Sequence, residues 1–147
     1  MIYIFDIDGT LADLSHRLRF IQGEKKDWAG FYAGCEEDAP IYEVIQVARA
    51  LSHYNKHKIV MITGRSDEIK GKTVAWLVEN NVPCDKLYMR KAGDHREDSI
   101  VKSELLDEVL AGVQLSYIAG VFEDRQQVVD MYRARGLRVF QVAPGNF

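Results

Sequence analysis

Two carboxylates stand two residues apart at the end of the first apolar segment of this chain. The segment Ile2–Phe5 contains only β-prone apolar residues and is followed directly by Asp6-Ile7-Asp8-Gly9-Thr10. Side chains alternate along a strand, so Asp8 reaches the site of Asp6 only if the chain turns, and Gly9 permits that turn. A carboxylate in such a place can act as a nucleophile, an acid or base, or a metal ligand.

Two later apolar segments also end in polar groups. One ends in Thr63 and Gly64, and another is followed by Glu123 and Asp124. In a parallel sheet the carboxyl ends of the strands meet at one edge, which is where open α/β sheets bind ligands. Four carboxylates gathered there need a cation, because like charges at short range raise one another's pKa. A hard divalent ion such as Mg²⁺ is the natural partner.

A cation that can balance an incoming phosphate is available from Lys102. It lies on a helix that is predicted to begin at Asp98 or Ser99 and to end near Leu110. Asp98 and Lys102 are spaced i, i+4, which favours a helical ion pair, so Asp98 can hold the ammonium group. Asp98 can equally be a helix cap, and the two roles are compatible.

The hydrophobic pattern predicts strands that alternate with helices along most of the chain. This alternation is typical of a three-layer, Rossmann-like α/β sandwich with a central parallel sheet. The predicted strands are 2–5, 58–63, 86–89, 117–122 and 137–142, and the predicted helices are 41–54, 69–80, 98–110 and about ten residues after Asp124.

Residues 11–40 lose this periodicity and collect glycines and aromatic residues. A structureless loop of that length is unusual in a compact domain, so we predict a small helical lid or cap over the Asp6 site. The alternative is that its aromatic side chains simply pack on the sheet. With 147 residues the chain is expected to form one domain, 1–147, with 11–40 as the insertion.

Composition excludes several classes of protein. The net charge of −3 carries no general polyanion-binding signal, and no apolar run is long enough to span a membrane. Cys35 and Cys84 stand far apart, which indicates a reducing cytoplasm and neither a disulfide framework nor a zinc site. Residues 66–73 end like a phosphate-binding P-loop, but Ser66 replaces its first glycine and Gly71 falls within a helical pattern, so the segment does not fit a kinase site.

Taken in order, these motifs resemble those of the haloacid dehalogenase superfamily. Within it, the closer likeness is to the 3′-phosphatase domain of phage polynucleotide kinase-phosphatase. The chain departs from that domain at Glu123, where the domain has an aspartate, and in residues 14–40. The four superfamily motifs are Asp6-Ile7-Asp8-Gly9-Thr10, Ile62-Thr63-Gly64-Arg65, Lys102, and Phe122-Glu123-Asp124-Arg125. The closer likeness rests on Arg90-x-x-Gly93-Asp94-x-Arg96-x-Asp98 through Val101-Lys102, Glu123-Asp124-Arg125-x-Gln127-Val128-Val129, and Gln141-Val142-Ala143-x-Gly145-x-Phe147.

The resemblance implies a role for each motif residue. Asp6 would attack phosphorus, and Asp8 would protonate the leaving alkoxide and then activate water. Asp8 favours phosphate ester hydrolysis, because a dehalogenase has no use for this second acid. Thr63, the Gly64 amide and Lys102 would bind the phosphoryl oxygens. Mg²⁺ would be held by Asp6, the Asp8 carbonyl and Asp124, with Glu123 contacting either the metal or Lys102.

Four arginines are candidates for binding the phosphate groups of a substrate, since a planar guanidinium suits phosphate. Each is equally well interpreted as a solvated surface residue. Asp98 is added to the substrate side of the site as the partner of Lys102. The four arginines are Arg65, Arg90, Arg96 and Arg125.

The sequence therefore predicts a Mg²⁺-dependent, cytoplasmic phosphomonoesterase that removes the 3′-phosphate from DNA or RNA ends, as in nucleic-acid repair. The first alternative is the same chemistry on free mononucleotides or another small phosphate ester. A second alternative is a non-catalytic phosphate-binding subunit of a separately encoded kinase or ligase. A mild excess of basic residues over 86–102 leans toward a chain-end substrate.

Overall fold

In the computed structural model, which describes residues 1–147, five parallel strands form one sheet in the order β5-β4-β1-β6-β7. Four helices cover its two faces and complete the predicted three-layer α/β sandwich. The strands of the sheet are β1 (Ile2–Phe5), β4 (Lys58–Ser66), β5 (Lys86–Arg90), β6 (Ile118–Glu123) and β7 (Val139–Gln141). The helices are α2 (Tyr42–His53), α3 (Lys70–Glu79), α4 (Asp98–Leu110) and α5 (Gln126–Ala134).

The central strands are mostly apolar because both of their faces are buried. Ile4 of β1 packs in the core under α4 and α5, whereas its neighbour Phe5 packs in the core under α2 and α3. The same alternation places Ile62 and Met61 of β4 in opposite cores. Strand β1 lies between β4 and β6, so the residues that follow it emerge at the middle of the sheet edge.

Several element boundaries differ from those predicted by pattern; for example, β7 is shorter than the predicted 137–142. Strand β4 continues through Gly64 to Ser66, with an irregular register against β5 between Thr63 and Ser66. Tyr117 lies in a 3₁₀ turn, so β6 begins one residue later than predicted. The prediction that Asp98 or Ser99 caps α4 was wrong: Glu97 occupies the cap position and makes no side-chain cap.

Residues 11–40 form a small unit beside the carboxyl end of β1. A short antiparallel pair, β2 (Ala12–Asp13) and β3 (Ala39–Pro40), closes its base. Between them lie a 3₁₀ turn (Ser15–Phe20), the helix α1 (Trp28–Ala33) and a second 3₁₀ turn (Cys35–Glu37). The Trp76 indole N–H of α3 donates to the Asp38 carbonyl at 2.8 Å and anchors the unit to the domain.

No helix in the structure combines the length and the apolar character that crossing a membrane requires.

Candidate active site

The carboxyl ends of β1, β4 and β6 border a cleft of about 500 Å³. Its floor includes Asp6, Thr63, Lys102 and Asp124, which the sequence places on four separate segments. One wall comes from residues 21–32 of the insertion, a second from the loop 90–97, and a third from Arg125 and Phe147. The parallel topology therefore brings the predicted motifs together at one edge of the sheet.

Lys102 is the central cation of the site. Its Nζ atom donates to Asp6 Oδ1 at 2.8 Å and to Glu123 Oε2 at 2.8 Å, and it lies 3.4 Å from Asp98 Oδ2. Burial alone would lower the pKa of Lys102, but the carboxylates of Asp6, Asp98 and Glu123 raise it well above its ordinary value. The side chain is therefore a permanent ammonium group, although it is almost fully buried.

Three buried carboxylates form a cluster that suits a divalent cation. Asp6, Glu123 and Asp124 each offer an oxygen atom, and these atoms lie within 4.8 Å of one another. Asp124 Oδ1 is buried and has no hydrogen-bond partner, which leaves it free to bind a metal ion. Buried carboxylates need a partner of this kind, and oxygen donors are those that Mg²⁺ prefers.

Gly9 allows the chain to approach this cluster closely. Its φ of +84° lies in the left-handed region, and a Cβ atom at this position would overlap the Asp124 carboxylate. The turn after β1 therefore needs glycine for its conformation and for the space beside the Asp124 carboxylate. This contact explains the Asp8-Gly9 pair better than turn chemistry alone.

Burial controls the protonation of the cluster. It raises the pKa of Asp6 well above its ordinary value, and the neighbouring Glu123 adds to the shift while Lys102 opposes it. Burial and the nearby Asp6 raise the pKa of Asp124 to about 7. Burial likewise raises the pKa of Glu123 against the influence of Lys102. A bound cation would reverse these shifts, since it favours the ionised carboxylates.

The Asp8 carboxylate faces two arginines and does not belong to the cluster of Asp6, Glu123 and Asp124. Arg65 Nη2 donates to Asp8 Oδ1 at 2.7 Å, and Arg17 Nη2 donates to the same oxygen at 3.0 Å. Both guanidinium groups also bind Asp38 Oδ2, at 3.0 Å from Arg65 and 2.6 Å from Arg17. Burial would raise the pKa of Asp8, but Arg65 and Arg17 outweigh burial and hold it below its ordinary value.

Arg17 and Asp38 are site residues that the sequence did not reveal. Both lie in the insertion, which has no hydrophobic periodicity that would show which charged residues are buried. No local motif identifies either residue as part of the site. Arg65 was expected among the substrate-binding residues, but its side chain is fully buried on Asp8, Asp38 and Thr73. This position favours a role in placing Asp8, and contact with substrate remains a prediction for Arg65.

Thr63 and Gly64 form the end of β4 at the floor of the cleft. The Thr63 hydroxyl accepts the Arg65 backbone N–H at 3.2 Å. A Cβ atom on Gly64 would overlap the Asp98 carboxylate, so glycine is required for α4 to approach β4 here. This close approach delivers Lys102, one turn further along α4, to Asp6.

The remaining predicted arginines occupy the walls. Arg90 donates to the carbonyl oxygens of Gly64, Asp94 and Arg96 and to Asp98 Oδ1, so it ties the loop 90–97 to the end of β4. Arg125 lies 3.6 Å from Asp98 Oδ2 and packs its guanidinium on the Phe147 ring. Arg96 is exposed and pairs with Asp94 and with Glu104 of α4.

Comparison with known families covers the whole chain. A family model for the phosphatase domain of polynucleotide kinase PNKP matches residues 1–147. A protein chain in the structure of a Pnkp1/Rnl/Hen1 complex is 30% identical, with a TM-score of 0.82 over 99% of this chain. The match covers 47% of that chain, so the present chain spans about half the length of this relative.

More distant structures share the fold alone. L-2-haloacid dehalogenase from Xanthobacter autotrophicus, with chloropropionic acid covalently bound, is 13% identical and has a TM-score of 0.67. A putative β-phosphoglucomutase from Thermotoga maritima is 15% identical and has a TM-score of 0.63. The matches cover 96% and 95% of this chain and 76% and 84% of the two neighbours, respectively.

The sheet order, the four motifs at one sheet edge and the full-length family match agree with one another. They confirm the resemblance and the Rossmann-like fold that the sequence predicted. The chain belongs to the family of polynucleotide kinase PNKP phosphatase domains within the haloacid dehalogenase superfamily, and it is a phosphoric monoester hydrolase.

Proposed function

We propose that the protein removes the 3′-phosphate from nucleic-acid ends, with Mg²⁺ as cofactor and through an aspartyl-phosphate intermediate. The observation that carries this proposal is the position of Asp6, which lies buried against Lys102 at the floor of an open cleft. The full-length match to a polynucleotide kinase phosphatase family supports the choice of substrate. The relative at 30% identity belongs to a complex whose structure is described as an RNA repair complex.

Asp6 is the nucleophile in this mechanism. Its carboxylate attacks phosphorus, the bond to the 3′ oxygen breaks, and the phosphoryl group is transferred to the side chain. Lys102 opposes the rise in the pKa of Asp6 that burial causes, and it places a positive charge where the phosphoryl oxygens gather. Thr63 and the Gly64 amide complete the phosphate site at the end of β4. Mg²⁺ held by Asp6, the Asp8 carbonyl and Asp124 would neutralise charge on the transferring group.

Asp8 donates a proton to the leaving 3′ oxygen in the first step of the reaction. It then acts as the base in the second step. In the free protein, Arg17 and Arg65 keep this carboxyl ionised at neutral pH. A proton donor must carry a proton, so in the substrate complex Asp8 has to give up one of these contacts and take up a proton from solvent, which it then passes to the leaving 3′ oxygen. Water then attacks phosphorus of the aspartyl phosphate, Asp8 accepts its proton, and Asp6 is regenerated.

The cleft and its charges favour a chain end over a free mononucleotide. A polymer needs an open channel with basic or aromatic groups beside it. The cleft is open, and Lys26, Lys91 and Arg125 lie along its walls. Mononucleotide hydrolysis remains the second candidate, since these same walls can hold a single nucleotide. We also propose that the domain works with a kinase or ligase, because its relative is a longer chain in a complex with further proteins.

Release of inorganic phosphate from a 3′-phosphorylated oligonucleotide tests the function. We expect Mg²⁺-dependent turnover that exceeds turnover of 3′- and 5′-mononucleotides, and no turnover with a chelator. Equal or better turnover of mononucleotides would show that the substrate is not a chain end. The absence of turnover on every ester, in the presence of Mg²⁺, would contradict the enzymatic proposal.

Substitution of Gly9 tests whether its close approach to the Asp124 carboxylate is needed for folding and for binding of Mg²⁺. Gly9→Ala is expected to destabilise the fold by more than about 1 kcal/mol, because alanine strains a left-handed φ. It should also diminish the rise in melting temperature on adding Mg²⁺, since the new methyl group displaces Asp124. Thermal unfolding with and without Mg²⁺ measures both effects.

Gly71→Ala is the matched control. Gly71 lies in α3 with nothing within 4 Å of an added Cβ, so alanine is expected to be neutral or slightly stabilising. If Gly9→Ala retains the full rise in melting temperature on adding Mg²⁺, metal binding does not depend on the close approach of Gly9 to Asp124.

The Mg²⁺ response is also expected to depend on pH. The ordinary pKa of aspartate is about 3.9, and burial raises the pKa of Asp124 to about 7. The folded, metal-free protein therefore holds this proton up to about pH 7. The stabilisation from it is fully present below about pH 3.9 and is lost as the pH rises from there through 7. A metal ligand must be deprotonated, so the Mg²⁺ dissociation constant should rise by up to about tenfold for each pH unit below 7.

Melting temperatures in a Mg²⁺ titration at pH 6, 7 and 8 measure this dependence. The shift should be largest at pH 8, and Asp124→Asn should remove it at every pH. A shift of equal size at pH 6 and pH 8 would show that no proton competes with the metal.

A further inference from the structure

One wall of the cleft consists of aromatic side chains that the proposed chemistry does not use. Trp28, Phe31 and Tyr32 of α1 pack on one another, with ring centroids 5.5 to 6.1 Å apart. Phe31 is buried, whereas Trp28 remains 38% exposed and lines the cleft together with Tyr32. The planes of Trp28 and Tyr32 are within 30° of parallel, so the outer indole rests on the inner phenol.

Contacts with neighbouring residues hold this aromatic wall in place. Arg17 donates to the Phe31 carbonyl at 2.9 Å and places its guanidinium over the Phe31 ring at 4.4 Å. The Tyr32 hydroxyl donates to the Gly64 carbonyl at 3.4 Å, beside the proposed phosphate site. Asp27 caps α1 by accepting the Gly30 N–H at 2.9 Å. A surface held in this way is preorganised, which reduces the entropy lost on binding.

The chemistry of the substrate determines what can lie on this wall. When the phosphoryl group is at Asp6, the leaving group is the terminal nucleoside, and its base is the only flat apolar part. Every base has a π face, so an exposed indole binds it without regard to sequence. Lys26, with its ammonium group 5.7 Å from the Trp28 ring centroid, adds positive charge for the phosphodiester backbone.

We propose that Trp28 is the stacking platform for the base of the 3′-terminal nucleotide, supported from behind by Tyr32. Trp28 thereby distinguishes a nucleotide end from other phosphate monoesters. This inference rests on the proposed function and names the part of the substrate that the insertion recognises.

A substrate without its terminal base separates stacking from structural support. The two substrates are a 3′-phosphorylated oligonucleotide and the same oligonucleotide whose last nucleotide lacks the base. For the wild-type protein, the base-containing end should have the lower KM. Trp28→Ala should raise KM for that end by about 5- to 150-fold, the range for loss of one base-aromatic stack, with little change in kcat.

The ratio of kcat/KM between the base-containing and abasic ends is the decisive measurement. Trp28→Ala should bring this ratio close to one, because the mutation and the missing base remove the same contact. Trp28→Phe should retain most of the ratio, since phenylalanine still offers a ring. Tyr54→Ala is the control, because Tyr54 is 80% exposed at the end of α2 and does not line the cleft.

Two results would overturn the proposal. One is a Trp28→Ala protein that loses equal activity on base-containing and abasic ends, which would show a purely structural role. The other is a Trp28→Ala protein that keeps the wild-type kcat/KM on both ends, which would show that Trp28 does not contact the substrate. Glycerol 2-phosphate separates failure of stacking from failure of the proposed function: if the wild-type protein does not prefer the 3′-phosphorylated oligonucleotide over this ester, the proposed function fails and stacking fails with it.

Discussion

Asp6→Asn is expected to abolish phosphate release, with kcat reduced by at least about 10⁴-fold, as is usual when a catalytic nucleophile is removed. The amide cannot attack phosphorus to form an acyl phosphate, and it gives up the charge that pairs with Lys102. The side chain keeps its size, and its loss of charge relieves the repulsion that raises the pKa of Asp124. We therefore expect the variant to fold.

Phosphate release from the 3′-phosphorylated oligonucleotide measures the loss, and thermal unfolding establishes that the protein is folded. Asp130→Asn is the control, because Asp130 is an exposed residue of α5 whose carboxylate accepts a hydrogen bond from the Gln126 side-chain amide. A change within about 0.5 kcal/mol is expected there. If folded Asp6→Asn retains a tenth or more of the wild-type kcat, Asp6 is not the nucleophile.

Lys102→Met is expected to destabilise the protein by about 3–5 kcal/mol and to eliminate activity, because it leaves buried carboxylates without their cation. Asp6, Asp98 and Glu123 all lie within 3.4 Å of the Lys102 Nζ atom. Methionine fills most of the same space, so the loss is electrostatic rather than steric. The phosphate site also loses its only fully buried ammonium group.

The pH dependence of unfolding identifies the electrostatic origin of this loss. Although burial would raise the pKa of Asp98, Lys102 and two arginines hold it below its ordinary value. Ionised Asp98 therefore contributes to the free energy of unfolding at pH values above the pKa of Asp98 in the unfolded chain. This contribution is lost as the pH falls through the pKa of Asp98 in the folded protein. The difference between wild type and Lys102→Met should therefore narrow in acid.

Lys58→Met is the matched control for this substitution. Lys58 pairs with Asp85 on the surface, where its side chain is 69% exposed, and such pairs contribute about 0–1 kcal/mol. A loss for Lys102→Met no larger than that for Lys58→Met would show that the buried ammonium group does not hold the cluster together.

The sequence was sufficient for the sheet and for most of the residues along its carboxyl edge. Continuous apolar runs identify buried strands at any position in the chain. In a parallel sheet the carboxyl ends of these strands then lie at the same edge. The i, i+4 spacing of Asp98 and Lys102 also pointed to a real contact, with the two charged groups 3.4 Å apart. These inferences depend on local pattern or on a general rule of topology.

What the sequence could not reveal depends on contacts between distant segments. Aspartate is a common helix-capping residue, yet the Asp98 carboxylate pairs with Arg90 and Lys102 instead. Glu97 occupies the cap position. Strand β4 runs on through Gly64 because Arg90 and Asp98 pack around it. Arg17 and Asp38 meet across 21 residues in a segment without periodicity, so no local signal joins them.

The position of Arg17 has a consequence for how such enzymes diversify. One guanidinium group touches both Asp8 and the carbonyl of Phe31 under the aromatic wall. The insertion is thus not an interchangeable module. A graft that exchanged residues 14–38 for another lid would replace Trp28 and Tyr32 and, in the same step, remove Arg17 from Asp8 and Asp38 from Arg65. Changing single side chains on the wall leaves the contacts of Arg17 and Asp38 with Asp8 and Arg65 in place, whereas exchanging the whole insertion does not.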